Sequence, residues 1–262
     1  MNTLLRALRV ELIKICSSKL WWIISAIVVI IQPLLAFIAA RSYLRIGLDA
    51  TTENHPELIQ ALPPLDYFGF EAVVFGLLAM VILGGMIGAG EYKHHQLRTT
   101  LLCQSSRRKV FCAKAAAFII CIAVLALLSI YATITITHYA FGEQGLHPIY
   151  LSTIAWQFIG YSVLDWCLLS LLAFGIGMLF RNAIVPLAFL IPQIYNLGSF
   201  LAQKWDWGGY LPVAAGNLLF ATPTDSYEHD PLQGGIVLLI WVLVACFASY
   251  YAFTRHDVGG KY

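Results

Sequence analysis

The sequence predicts an all-α fold: a polytopic membrane protein with six transmembrane helices, forming a single domain over residues 1–262. Three observations lead there. Apolar runs at 20–40, 72–89, 113–137, 149–180, 183–201 and 232–253 are each close to or above the roughly 20 residues that cross a hydrocarbon core about 30 Å thick. The composition is 60% hydrophobic and only 11% charged. The basic residues also sort by loop. With the N-terminus inside, the inner segments hold Arg6, Arg9, Lys14, Lys19, Lys93, Arg98, Arg107, Arg108, Lys109, Lys114, Arg181, Arg255 and Lys261, leaving only Arg41, Arg45 and Lys204 outside. Lys and Arg alone set orientation, so both termini are expected in the cytoplasm. The net charge of +2 conceals this asymmetry and gives no reason to expect nucleic acid.

Residues 1–19 precede the first run. Leu4, Leu5, Leu8, Leu12 and Ile15 fall on one helical face, with Arg6, Arg9 and Lys14 on the other. This pattern predicts an amphipathic helix lying along the inner membrane surface, or else a helical extension of the first span. The run at 20–40 is too long for a signal-peptide core and five more follow, so it reads as a retained helix. Gln32-Pro33 marks a kink in it, as Pro186 and Pro192 do in the fifth run, because proline frees a backbone carbonyl.

The second run carries Gly84 and Gly88 at Gly-x-x-x-Gly spacing, which lets helices approach closely; the partner is a helix of the same chain or of another subunit. The fourth run holds Asp165, the one carboxylate deep in a span, with Ser162 a turn before it. An ionisable residue at that depth costs about 2.5–3.5 kcal/mol on insertion scales and by default faces an aqueous or substrate pathway. The alternative is a neutral Asp hydrogen-bonded to a neighbouring helix. Between the fifth and sixth runs, the segment 202–231 contains an apolar stretch at 211–221 of half a span's length. It is expected to be re-entrant or to lie over the outer surface. The six cysteines fall in spans or on the inner side, so no structural disulfide is expected, and their spacing forms no zinc site.

The inner loop 90–112 is the most informative polar segment. Leu97, Leu101 and Leu102 give a short helix one apolar stripe between basic flanks. It reads as a surface for a cytoplasmic partner or as an ordinary solvated basic loop. Glu91-Tyr92, then Leu97-Arg98-Thr99-Thr100-Leu101, then Ser106-Arg107-Arg108 and Lys114 resemble the coupling region of type-2 (ABC-2-like) ABC transporter permeases. His95-Gln96 stands where that family usually has Gly-Thr. Phe174-Gly-Ile-Gly-Met-Leu-Phe-Arg-Asn182 and Phe253-Thr-Arg-His-Asp-Val258 resemble two further stretches of the same family, one closing the fourth span and one closing the chain.

The resemblance implies an export-type permease subunit in a bacterial-type cytoplasmic membrane, working as a homo- or heterodimer. Cytoplasmic ATPase subunits would grip Glu91, Tyr92, Leu97, Arg98, Leu101, Arg107 and Arg108, and the segment 202–231 would form an outer gate. No Gly-x-x-x-x-Gly-Lys-Ser/Thr loop is present. ATP and Mg would therefore be bound by the partner, with no catalytic residue, cofactor or metal in this chain. The apolar spans suit a hydrophobic or amphipathic cargo of the drug or antimicrobial-peptide class. The alternative is a proton- or ion-coupled secondary transporter using Asp165, though no convincing repeat relates the two halves. An intramembrane enzyme would need a catalytic motif that the sequence does not contain.

Overall fold

The computed structural model describes residues 3–48, 50, 62–92, 106–220 and 230–255. Among these residues all regular structure is helical. Five helical segments are long and apolar enough to cross a membrane: Lys19–Ile46, Val73–Gly90, Arg107–Ala140, Thr153–Phe180 and Pro231–Arg255. The run expected as the fifth span forms a shorter apolar helix, Ile184–Tyr195.

Helix α1 (Thr3–Cys16) is a separate element: Ser18 is extended, which breaks it from α2 (Lys19–Ala26). It is therefore not a continuous extension of the first span. Its expected apolar face divides, with Leu4 and Leu5 exposed while Leu8, Leu12 and Ile15 pack on the core. Glu11 is buried within that inward stripe.

The first span is α2, a π-helical turn at Ile27–Ile31 and α3 (Gln32–Ile46). Pro33 explains the turn. It has no N–H to donate, so the carbonyl five residues earlier, Val28 O, loses its π-register donor. Ser129 Oγ from a neighbouring helix donates to Val28 O at 2.5 Å instead. Beside it, Gln32 Nε2 donates to Thr133 Oγ1 at 2.8 Å. A second π turn, Gln193–Leu197, follows Pro192 and separates α7 (Ile184–Pro192) from α8 (Gly198–Lys204). This turn interrupts the expected fifth span.

Helix α4 (Val73–Gly90) leads into Glu91 and Tyr92. Helix α5 (Arg107–Ala140) begins earlier than the apolar run suggests, so Arg107, Arg108 and Lys109 form its first turn rather than a loop. Three cations there oppose the helix dipole. Burial of Val110 and Phe111 offsets this, with Phe111 meeting Tyr250 edge-on at 5.4 Å. Helix α6 (Thr153–Phe180) starts at Ser152, whose Oγ accepts the Ala155 N–H at 3.2 Å. The short α9 (Pro212–Asn217) lies in the 211–221 stretch and is buried from Pro212 to Gly216. Helix α10 (Pro231–Arg255) closes the described chain.

Helix α6 is the hub on which α4, α5 and α10 pack. Its Trp166, Leu169, Leu172, Phe174 and Met178 are fully buried. Gly84 and Gly88 face it, where a Cβ on either would collide with the carbonyl of Ser170 or Phe174, respectively. The Gly-x-x-x-Gly pair thus meets an i, i+4 pair on a helix of the same chain. Outward faces of α3 and α10, including Leu34, Ile38, Leu243, Val244 and Phe247, are exposed and apolar, as a lipid-facing surface requires.

Candidate coupling site

At one end of the bundle α1, the C-terminus of α4, the N-terminus of α5 and the C-termini of α6 and α10 converge. The centre is a set of four charges. Lys114 Nζ lies 2.5 Å from Glu91 Oε1 and 3.1 Å from Glu11 Oε2. Lys14 Nζ lies 2.8 Å from Glu11 Oε1 and 3.9 Å from Glu91 Oε1. The two carboxylates are 3% exposed and Lys114 6%, whereas Lys14 is 39% exposed. Two anions and two cations cancel, so the pocket holds no net charge, which burial of such groups requires. Glu11, Glu91 and Lys114 come from three different helices or their ends, and Lys114 pairs with both carboxylates.

The sequence supports each position locally. Glu11 follows Leu8 by three residues and precedes Ile15 by four, so it shares their inward face. Lys114 falls four residues after Val110 and four before Phe118, both buried, on the inward stripe of α5. Glu91 is the residue at which α4 stops. Tyr92 follows and lies under Arg181, whose guanidinium carbon is 4.9 Å from its ring centroid. Arg181 ends α6 in the left-handed conformation, at φ 55°, a strained region for a residue with a Cβ. Burial holds the Tyr92 phenol above its ordinary value, while the Arg181 charge pulls it partly back down. Arg107 Nη1 donates to Phe253 O of α10 at 3.5 Å. Arg108 is exposed.

Glu91, Tyr92, Arg107 and Lys114 from the coupling segment, Arg181 from the Gly-rich run and Phe253 from the tail therefore share one end. Leu97, Arg98 and Leu101 lie outside the described residues. Glu11 was not among the residues the sequence singled out. A carboxylate inside the apolar stripe of an amphipathic helix was the signal for it.

Asp165 and Ser162 occupy another level of α6. Asp165 precedes Arg181 by sixteen residues, about 24 Å along a helix. Both are buried, and Asp165 Oδ1 and Ser162 Oγ have no hydrogen-bond partner among the described residues. The Asp165 carboxylate rests against Gly216 of α9, where any Cβ would collide with Oδ1. Asp165 therefore joins α6 to the half-span segment. No cluster of His, Cys, Asp and Glu that could hold a metal occurs among the described residues.

No curated protein and no solved structure matches the chain. A family model described as ABC-2 family transporter protein matches residues 7–198, a stretch that takes in most of α1, the buried charge cluster and Asp165. The convergence of the coupling segment, the Gly-rich run and α1 at one end of a multi-helix membrane bundle agrees with that match, and the chain belongs to the ABC-2 family of transporter permeases.

Proposed function

We propose that this permease is the membrane subunit of an ATP-driven exporter, with two such subunits enclosing the pathway and separate cytoplasmic ATPase subunits supplying ATP and Mg. Six crossings with both termini in the cytoplasm place the segment 93–105 where an ATPase can reach it. Leu97, Arg98 and Leu101 are the residues we assign to the ATPase contact, with Glu91, Tyr92, Arg107 and Arg108 flanking them in sequence. The carrying observation is the buried cluster of Glu11, Glu91 and Lys114 at the root of that segment. It joins both flanks of the docking loop to α1, so a push on the loop is passed to three elements together. α1 lies at the inner surface with its exposed Arg6 and Arg9 toward the headgroups.

The cargo is hydrophobic or amphipathic, of the drug or antimicrobial-peptide class, in keeping with the apolar spans. Asp165 and Ser162 contribute its polar contact. The support for this is their unpartnered buried oxygens, that of Asp165 lying against Gly216 of α9, which we assign as the outer gate. The reading is tested by purifying the permease in mild detergent with its neighbouring ATPase and comparing the wild type with the L97D/L101D variant. Stoichiometric ATPase with the wild type and none with the variant is expected. Equal recovery with both would remove the docking assignment.

A further inference from the structure

Where α3 meets the start of α4, at the end of the bundle away from the charge cluster, the two helices flank a cavity of about 140 Å³. Small side chains leave the room for it: Ala36, Ala39 and Ala40 of α3 line it, and Ala36 and Ala40 are buried at its floor. Leu35 and Tyr43 also line it; eight residues apart on one helix, they mark a groove about 12 Å long. The opposite wall runs the other way. Tyr43 Oη donates to Glu71 Oε2 at 3.4 Å, while further along α4 Gly76 approaches Gln32 at the start of α3. Glu71 and Tyr43 therefore share the mouth, and Phe75 lies deeper, towards Leu35. Leu35 and Phe75 are 43% and 55% exposed, so the groove opens sideways, on the surface that faces lipid.

Glu71 is the one charged residue in the lining among the described residues, and none of them forms an ion pair with it. The basic residues of α3 do not reach it. At about 100° per residue, positions 35, 36, 39, 40 and 43 cover an arc of about 140°, and Arg41 and Arg45 fall on the far side of the helix. Arg41 lies instead over the Phe37 ring, 5.3 Å from its centroid. Deeper in the lining, the Thr137 hydroxyl donates to Thr133 O at 2.9 Å. A carboxylate at the mouth of a groove walled by carbon complements a cation carried on an apolar chain. A phospholipid needs a basic group for its phosphate at the same level, and Arg41 and Arg45 point elsewhere. A metal ion needs more oxygen donors than one carboxylate and a phenol.

We infer that this groove is a binding site for a lipophilic amine, a single-chain cationic amphiphile that enters from the membrane. Its ammonium donates to the Glu71 carboxylate, a charge-assisted hydrogen bond, and the Tyr43 hydroxyl holds that carboxylate at the mouth. The chain runs along the alanines from Tyr43 to Leu35 and Phe75. The site is separate from Asp165 and from the segment assigned to the ATPase, and it does not depend on either.

The test places the full chain in lipid nanodiscs, without an ATPase, and uses dodecylamine with a diazirine at the far end of its chain as the photoprobe. Mass spectrometry should find the label at residues 35–39 and at Phe75, and unlabelled dodecylamine should compete it away where dodecanol and dodecanoate do not. E71Q should raise the half-saturating concentration about tenfold, the scale of a hydrogen bond to a charged group. A39W, which puts a ring into the groove from an exposed position, should abolish the label. Should a variant fail to fold, the competition on the wild type decides alone. Equal competition by dodecanol overturns the recognition of charge. Label spread evenly over the exposed helix faces overturns the site. Saturable labelling of the same residues by a diazirine phosphatidylethanolamine that dodecylamine cannot displace makes the occupant a phospholipid and overturns the amine.

Discussion

Replacing Lys114 by Met gives the sharpest test of the charge cluster. Methionine nearly matches lysine in length but leaves two buried carboxylates facing each other. At an effective dielectric of about 20, contacts at 2.5 Å and 3.1 Å are each worth about 5–7 kcal/mol of Coulomb attraction before desolvation is charged against them. Removing one partner from a buried pair costs about 3–5 kcal/mol net. For a chain of this size that lowers Tm by about 6–20 °C. The half-exposed Lys14 provides the internal comparison. Solvent screens its pairs, so K14M should cost no more than about 1 kcal/mol, about 2–4 °C. Thermal unfolding of detergent-purified protein, followed by tryptophan fluorescence, reads both. The triple variant E11Q/E91Q/K114M, which removes the three buried charges together and leaves the half-exposed Lys14, should recover most of the loss. If K114M melts within 2 °C of the wild type, or if K14M and K114M cost the same, the cluster is not the buried, mutually dependent unit described here.

Three further outcomes are expected. G88A forces a Cβ onto the Phe174 carbonyl and should destabilise by about 1–3 kcal/mol; G160A, with open space around it, should be neutral or gain up to about 1 kcal/mol, both read as Tm. S129A strands the Val28 carbonyl and should cost about 1–3 kcal/mol. The cost should shrink when P33A restores a backbone donor, and a double-mutant cycle that shows no coupling would refute the proline explanation. D165N keeps the shape of the side chain but cannot ionise. It should alter export of a cationic amphiphilic drug in vesicles while leaving ATPase co-purification intact, and unchanged export would remove Asp165 from the pathway.

Helix positions were legible because a bilayer demands long apolar runs, and Gly84 and Gly88 announced a close crossing through spacing alone. Glu91, Tyr92 and Arg181 could be picked out by pattern, yet nothing in the pattern says that Arg181 stacks on Tyr92. Glu11 escaped notice for a physical reason. Its decisive partner, Lys114, is remote in sequence, while Lys14 at i+3 is the nearby partner among the described residues. Read locally, it is one more charge on a surface helix. The fifth run hid a local feature for another reason. Hydropathy counts apolar residues but not backbone donors, so it did not register the π turn after Pro192.

Helix α5 is 34 residues long, about 51 Å of unbroken rod against a hydrocarbon thickness of about 30 Å. The first span and the α7–α8 segment are each interrupted by a π turn and can absorb motion internally. A rigid rod cannot. With its foot clamped by Glu11 and Glu91 and its far end among Phe68, Phe141 and His138, a tilt of about 5° pivoting at one end displaces the other by about 4 Å over that length. α5 is thus a lever, and its surplus length gives a small angular input at one membrane face a displacement of atomic size at the other.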